Sequence, residues 1–395
     1  MSTAKPRLLV STFVPHFLMH ALVASVPLFV PLWLAEFGTT RATIGTVMGA
    51  HYVLYGGVAI PVGLLADRYG SVPLLELYLF GTGAAALWLG WSTTFAGLVL
   101  GLLGVGLASG LYHAPAFRLL SRQSYASSRL FAYHNVGGNL GLGVGPFATA
   151  VLLAFVDWRT AMLVAGAVLV AAGVLFAWLG PERSPPAVDG GRAGRPGLRE
   201  RLGSLFTAGF GFVLVLYLVQ GTYLRGAIVF IPDYLQAVAT VDPLHVLGRV
   251  IPPARWVYAV MLVADVGGQL LGGYLDDHVD TTAVISVALL GTAGLLALLG
   301  RTTGLALFGA VAAFGIALSV LAPVLQNLVA THTDEAERGL GYGVTSAGGT
   351  AAGGFLGASL AGWLATVGSY PRMFATLALF PLAALGLVVG YRTRY

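Results

Sequence analysis

Long apolar stretches alternate with short polar interruptions along this chain. Breaking it at its charged and Pro/Gly-rich points leaves apolar segments at 8–35, 42–66, 73–92, 95–118, 129–153, 160–180, 204–235, 251–276, 282–300, 303–331, 339–366 and 370–391. Each is close to or above the roughly 20 residues that a helix needs to cross a bilayer. The pattern predicts an all-α membrane protein of twelve spanning helices. The charged start "MSTAKPR" is like that of a signal peptide, but the apolar run behind it continues to about Leu34, too far for a cleaved segment, and reads as the first span.

One long polar insert, Pro181 to Gly203, is too rich in Pro, Gly and charge to form a packed core. It divides the chain into a six-helix bundle (1–180), a linker (181–203) and a second six-helix bundle (204–395). The halves repeat one another. "FVPLWL" at Phe29–Leu34 returns as "FIPDYL" at Phe230–Leu235, "GLLADRYG" at Gly63–Gly70 lies opposite "GGYLDDHV" at Gly272–Val279, and Ala114-Pro115 has a counterpart in Ala322-Pro323. Two bundles in parallel repeat, related by a pseudo-two-fold axis, put a substrate site near the midplane between them.

Composition supports the bilayer reading. Of 395 residues 57% are hydrophobic and 9% charged, against roughly 25% charged in a soluble domain, and the mean hydropathy is +0.84. The 55 glycines suit helices that approach closely in lipid. The absence of cysteine excludes disulfides and thiolate chemistry. An even number of spans puts both termini on one side. With the termini inside, fourteen Lys/Arg lie on the inner side and six on the outer: Arg41, Arg159, Arg249, Arg255, Arg301 and Arg372. The bias predicts cytoplasmic termini in the cell (inner) membrane. It also accounts for the net charge of +5 without nucleic acid.

Polar residues inside the apolar segments are the candidate site. Arg225, in "TYLRGAIVFIPDYL", lies about 15 Å from the outer end of segment seven and Asp265 about 21 Å from that of segment eight. The two are within reach of one another, as a static ion pair or as a pathway element. His16 and His20, four residues apart, share a face that fits a proton relay or a metal pair. Phe17 takes the glutamate's place in a zinc-protease pattern, which removes that reading. A buried histidine is most often a hydrogen-bonded structural residue; proton handling is the functional alternative, ahead of a metal pair, and neither a metal nor a cofactor is expected. His113, His134, Asn135 and Asn139 need polar partners or a wet cavity at lipid depth, and Arg118 follows His113 towards the inner surface. Gly137, Gly141 and Gly145 line one helix face before Pro146. At the inner end of segment two, Gly63 permits close contact, Asp67 can pair with a cation, and Arg68 and Gly70 complete the loop. Asp276 repeats Asp67 without a following basic residue. These are expected to be conformational contacts.

Two motifs carry a resemblance. "GLLADRYG" resembles the major facilitator loop pattern G-x-L-a-D-r-x-G, with Gly63, Leu65, Asp67, Arg68 and Gly70 in register, and "GLGVGP" (Gly141–Pro146) resembles the antiporter motif of exporters, with Thr149 and Ala150 in place of its last glycines. More narrowly, His113, Arg118 and Val136–Pro146 resemble the fosmidomycin-resistance branch of drug exporters. Met19-His20 stands where that branch commonly carries Asn-Asp, and Ala114 interrupts its His-Pro. The resemblance implies proton-coupled efflux of small organic molecules and multidrug or fosmidomycin resistance, by a monomer with a small-molecule substrate. The alternative is an uptake symporter for an anionic metabolite. A membrane sensor or enzyme is the third reading, disfavoured because no H-E-x-x-H, no G-x-S-x-G and no soluble sensing domain is present.

Overall fold

The computed structural model describes residues 4–121, 128–181, 197–335 and 337–392. Most of the linker, 182–196, therefore lies outside the described residues. In hydrocarbon every backbone N–H and C=O must bond within its own segment, so the apolar runs become helices.

The first span is α1 (Ala4–Ser25), a tight turn at Val26–Phe29 and α2 (Val30–Phe37); the second is α3 (Arg41–Gly57) and α4 (Ala59–Tyr69). Then come α5 (Ser71–Trp91), a fourth span broken into α6 (Phe95–Ser109) and α7 (His113–Ser121), α8 (Ser128–Leu152) and α9 (Trp158–Leu179). The second half opens with a short α10 (Leu198–Leu205). It continues with α11 (Ala208–Val238), α12 (Pro253–His278), α13 (Thr281–Leu299), α14 (Gly304–Thr331), an eleventh span of α15 (Arg338–Ser346), a π-helical turn (Ala347–Gly353) and α16 (Gly354–Val367), and finally α17 (Tyr370–Arg392). Eleven of the twelve spans are long and apolar enough to cross a membrane among the described residues. The twelfth, α8, is equally long but carries His134, Asn135 and Asn139.

Helix starts follow local chemistry. Thr40, Thr94, Asp157, Thr207 and Asp280 each accept a backbone N–H three residues on, which satisfies donors that the first turn leaves bare. Gly70 ends α4 at φ 86, a backbone region that side chains disfavour. Two expectations change here. The end of the linker is helical, because α10 buries Leu205 under its charged face. The long loop after α11 is a two-stranded ribbon, β1 (Leu244–Val246) and β2 (Arg249–Ile251), turned at Leu247 and Gly248, both with positive φ.

Within the first bundle α1 packs on α8, α3 on α6 and α5 on α9; within the second α12 packs on α14, α13 on α17 and α11 on α16. The bundles meet along two seams, α3 with α16 and α8 with α12. Glycine makes these approaches close. A Cβ at Gly137 would lie 2.7 Å from the Phe13 carbonyl, and one at Gly145 2.6 Å from Ala21 Cβ, so the stripe predicted on α8 is its face towards α1. Across the bundle seam a Cβ at Gly49 would lie 2.9 Å from Ser359 Oγ, and one at Gly56 2.7 Å from Thr350 Cβ. Gly63 is different: nothing lies within 4 Å of its Cβ position, so the close contact expected there is not made.

Candidate functional site

Four histidines converge on the wall of the first bundle. Pro15 sits inside α1, and the hydroxyls of Tyr78 and Tyr112 donate to the carbonyls of Pro15 (2.9 Å) and Thr12 (2.7 Å), which fixes the turn that presents His16. His16 Nδ1 donates to the His134 carbonyl at 2.9 Å. A carbonyl can only accept, so the proton is on Nδ1 and a neutral His16 keeps its lone pair on Nε2. His20 Nε2 lies 3.1 Å from that atom and is the donor. The ring of His134 stacks on His16 with centroids 4.2 Å apart. His113 stands edge-on to His16 at 5.5 Å. It arrives there because the fourth span breaks at Gly110–Tyr112, leaving His113 as the first residue of α7. Tyr55 faces His113 Nε2 at 3.5 Å. Gly138 allows the cluster to close: a Cβ there would lie 2.7 Å from His16 Nε2. His16 and His134 are buried, whereas His20 and His113 are partly exposed.

Arg225 and Asp265 do not form the expected ion pair. The Arg225 guanidinium lies over the Tyr52 ring, 4.9 Å from its centroid, so a cation of the second bundle rests on an aromatic of the first. Asp265 is buried and accepts from Ser319 Oγ and, at 3.4 Å, from Gln269 Nε2. Local α12 and α14 donors thus satisfy the carboxylate, and Arg225 has no carboxylate partner among the described residues.

At the face remote from both termini, Asp233 on α11 accepts Arg41 Nε at 2.5 Å and the Tyr370 hydroxyl. Arg41 Nε also donates to Tyr370 Oη at 2.8 Å. The threesome joins the first bundle to two helices of the second. Nearby, Tyr258 donates to the Ala24 carbonyl (2.9 Å) and Arg255 to that of Leu153 (2.8 Å), again between bundles. A cavity of about 410 Å³ opens on this face, lined by Arg41, Arg301 and Tyr370 among others, away from the histidines. At the terminus-bearing face, Arg118 Nε pairs with Asp67 Oδ1 at 3.0 Å, and Asn327 Nδ2 donates to Asp276 Oδ2 at 2.9 Å. Both contacts span 51 residues, so the repeat preserves the contact while exchanging a cation for an amide. Arg201 on α10 grips both oxygens of Glu337, Nε to each at 3.0 Å, and this contact raises the guanidinium's already high pKa.

The sequence matches the description "Major Facilitator Superfamily" over residues 12–251 and 251–394. The chain belongs to that superfamily. It is 28% identical over 178 residues to a 4-hydroxybenzoate transporter, PcaK, of Pseudomonas aeruginosa, covering 45% of this chain and 40% of the relative. It is 30% identical over 142 residues to a D-galactonate transporter of Escherichia coli O6:H1, covering 34% of this chain and 31% of the relative. The chain thus spans less than half the length of these curated relatives. A bacterial homologue of the human lysosomal transporter Spinster, in an inward-facing and occupied conformation, superimposes with a TM-score of 0.82 at 14% identity, covering 100% of this chain and 98% of that one. That likeness is one of fold.

In this facilitator the predicted site residues divide by location. His16, His20, His113 and His134 come together, while Asn135 is exposed and Asn139 half-buried further along α8. Arg118, expected on the pathway, belongs instead to the contact with Asp67. Arg68 lies over Tyr69, 5.2 Å from its ring centroid. Gly141 and Gly145 pack against α1, and α8 runs unbroken through Pro146. Sequence reasoning missed Tyr52, Tyr55 and the Arg41–Asp233–Tyr370 contact. Arg41 and Asp233 are recognisable as charges at one membrane face, but no spacing relates positions 192 residues apart.

Proposed function

We propose that this facilitator is a secondary transporter that takes up small organic anions by alternating access, with Arg225 as the group that recognises the anion. The carrying observation is Arg225 itself: a half-buried cation in mid-span, free of carboxylates among the described residues and resting on Tyr52 of the opposite bundle. An anion bound there would bridge the two bundles and so sense their relative position. The organic-acid substrates in the names of both relatives support an anionic metabolite as the cargo over a drug or fosmidomycin. Asp265, buried in the second bundle with two donors, is the proposed proton carrier. Asp67–Arg118 lies within the first bundle and Asp276–Asn327 within the second, so these inner contacts brace each bundle as the two rock against one another. The protein works as a monomer in the cell membrane, with bundles 1–180 and 204–395 and both termini cytoplasmic.

Proteoliposomes test this with labelled 4-hydroxybenzoate, galactonate and fosmidomycin, with and without an inward proton gradient. Gradient-stimulated, saturable uptake of a carboxylate, abolished in Arg225→Ala and uncoupled from protons in Asp265→Asn, is expected. Transport of fosmidomycin alone, or carboxylate uptake unchanged in Arg225→Ala, overturns the reading.

A further inference from the structure

Ring nitrogens of His16, His20 and His113 lie within 4.8 Å of one another. We propose that these three imidazoles bind one first-row divalent transition-metal ion of the Zn²⁺ class.

Two of the three ligands are already close to the required positions. Imidazole nitrogens about 2.0–2.1 Å from a tetrahedral Zn²⁺ sit roughly 3.4 Å apart, and the Nε2 atoms of His16 and His20 are separated by 3.1 Å; the ion takes the place of the proton between them, and His20 then carries its proton on Nδ1. The Nδ1–H of His16 is held by the His134 carbonyl. That outer bond fixes the ring and directs the Nε2 lone pair, as a metal-bound histidine requires. His113 needs a shift of about 1.4 Å to reach tetrahedral spacing. It can move because it is the first residue of α7, directly after the non-helical Gly110–Tyr112. His20 and His113 are partly exposed, which gives an ion a way in.

The donor set selects the metal. Three neutral nitrogens suit Zn²⁺, Co²⁺, Ni²⁺ or Cu²⁺ and not Mg²⁺ or Ca²⁺, which demand oxygen. Three protein ligands leave a fourth position for water. Three imidazoles serve one tetrahedral centre, so the site holds one ion, whose charge Arg225, within electrostatic reach of His20, opposes. The metal site stands independently of what is transported.

The test uses the full chain in detergent, freed of any polyhistidine tag and stripped with a chelator. Co²⁺ is followed by its visible absorption and Zn²⁺ by calorimetry. One ion per chain is expected, with the intense bands of tetrahedral Co²⁺. Affinity should fall about 100-fold or more in His20→Ala and His113→Ala, since even outer-shell changes cost 10–100-fold, and stay unchanged in His245→Ala on the exposed β1 strand. His20→Asn and His113→Asn repeat the measurement should the alanine variants misfold. A folded parent chain without tetrahedral Co²⁺ bands, binding that survives loss of both His20 and His113, or binding lost with His245 overturns the proposal.

Discussion

Asp233→Asn removes the charge from the contact that holds the two bundles together at the face remote from the termini. The Asp233 side chain is 9% exposed and that of Arg41 36%. Breaking a buried pair costs about 3–5 kcal/mol, whereas exposed pairs contribute about 0–1 kcal/mol. A pair buried on one side and a third exposed on the other falls between, near 2 kcal/mol. If the contact exists only when this face is closed, its loss raises the population open on this face about thirtyfold. The chain has no cysteine, so Ser359→Cys supplies a single thiol. Its Oγ is buried without a hydrogen-bond partner among the described residues, and it faces Gly49 across the seam. Seven residues separate it from Thr366, which bonds Ala42 N at 2.8 Å near the outer end, a depth of about 10 Å. An impermeant maleimide added from the Asp233 side labels Ser359→Cys in proportion to the open population when closure outpaces labelling. The expected rate is about thirtyfold higher with Asp233→Asn than without it. Equal rates in two folded proteins would show that the contact does not hold the closed state.

Three further outcomes are expected. Gly138→Ala drives a methyl into the His16 ring and should destabilise the folded chain by about 1–3 kcal/mol, read as a lower Tm in detergent. Asp157 caps α9 through Thr160 N at 2.9 Å, and Asp157→Ala should cost about 1 kcal/mol. That bond lowers the Asp157 pKa below its ordinary 3.8, so the charge-dependent part of the cap is present above the unfolded value and lost as pH falls through the folded one; the stability gap between the parent and Asp157→Asn should narrow in acid. Arg118→Gln should cost no more than about 1 kcal/mol, since Asp67 is 56% exposed, and 1 M salt should reduce the cost further; a larger, salt-insensitive loss of Tm would contradict the surface-pair reading.

Several features were legible before any fold was in hand because they are local or periodic. Hydropathy marked the spans to within a few residues, and the repeat pointed to Asp276 as the second-half counterpart of Asp67. The four-residue glycine spacing on α8 indicated a close approach, although not that α1 was its recipient. Arg225 was visible as an anomaly, but its neighbour was not. The depth estimate along two straight helices brought Asp265 within reach and carried no information on rotation, and Asp265 is satisfied by Ser319 on α14. Gly63 matched a pattern of close contact that the structure does not make.

What the sequence by itself determined is the bilayer as solvent, twelve spans, their division into two repeated bundles and the caps at which several helices begin, all governed by contacts a few residues apart or by composition. Tertiary structure decided which polar side chains meet. His113 joins His16 and His20 because the fourth span breaks beside it, and Arg41 reaches Asp233 because two bundles close at one end. The physical reason is that a helix fixes its own hydrogen bonds but not its rotation or its neighbours; in lipid those are settled by where glycines let backbones touch.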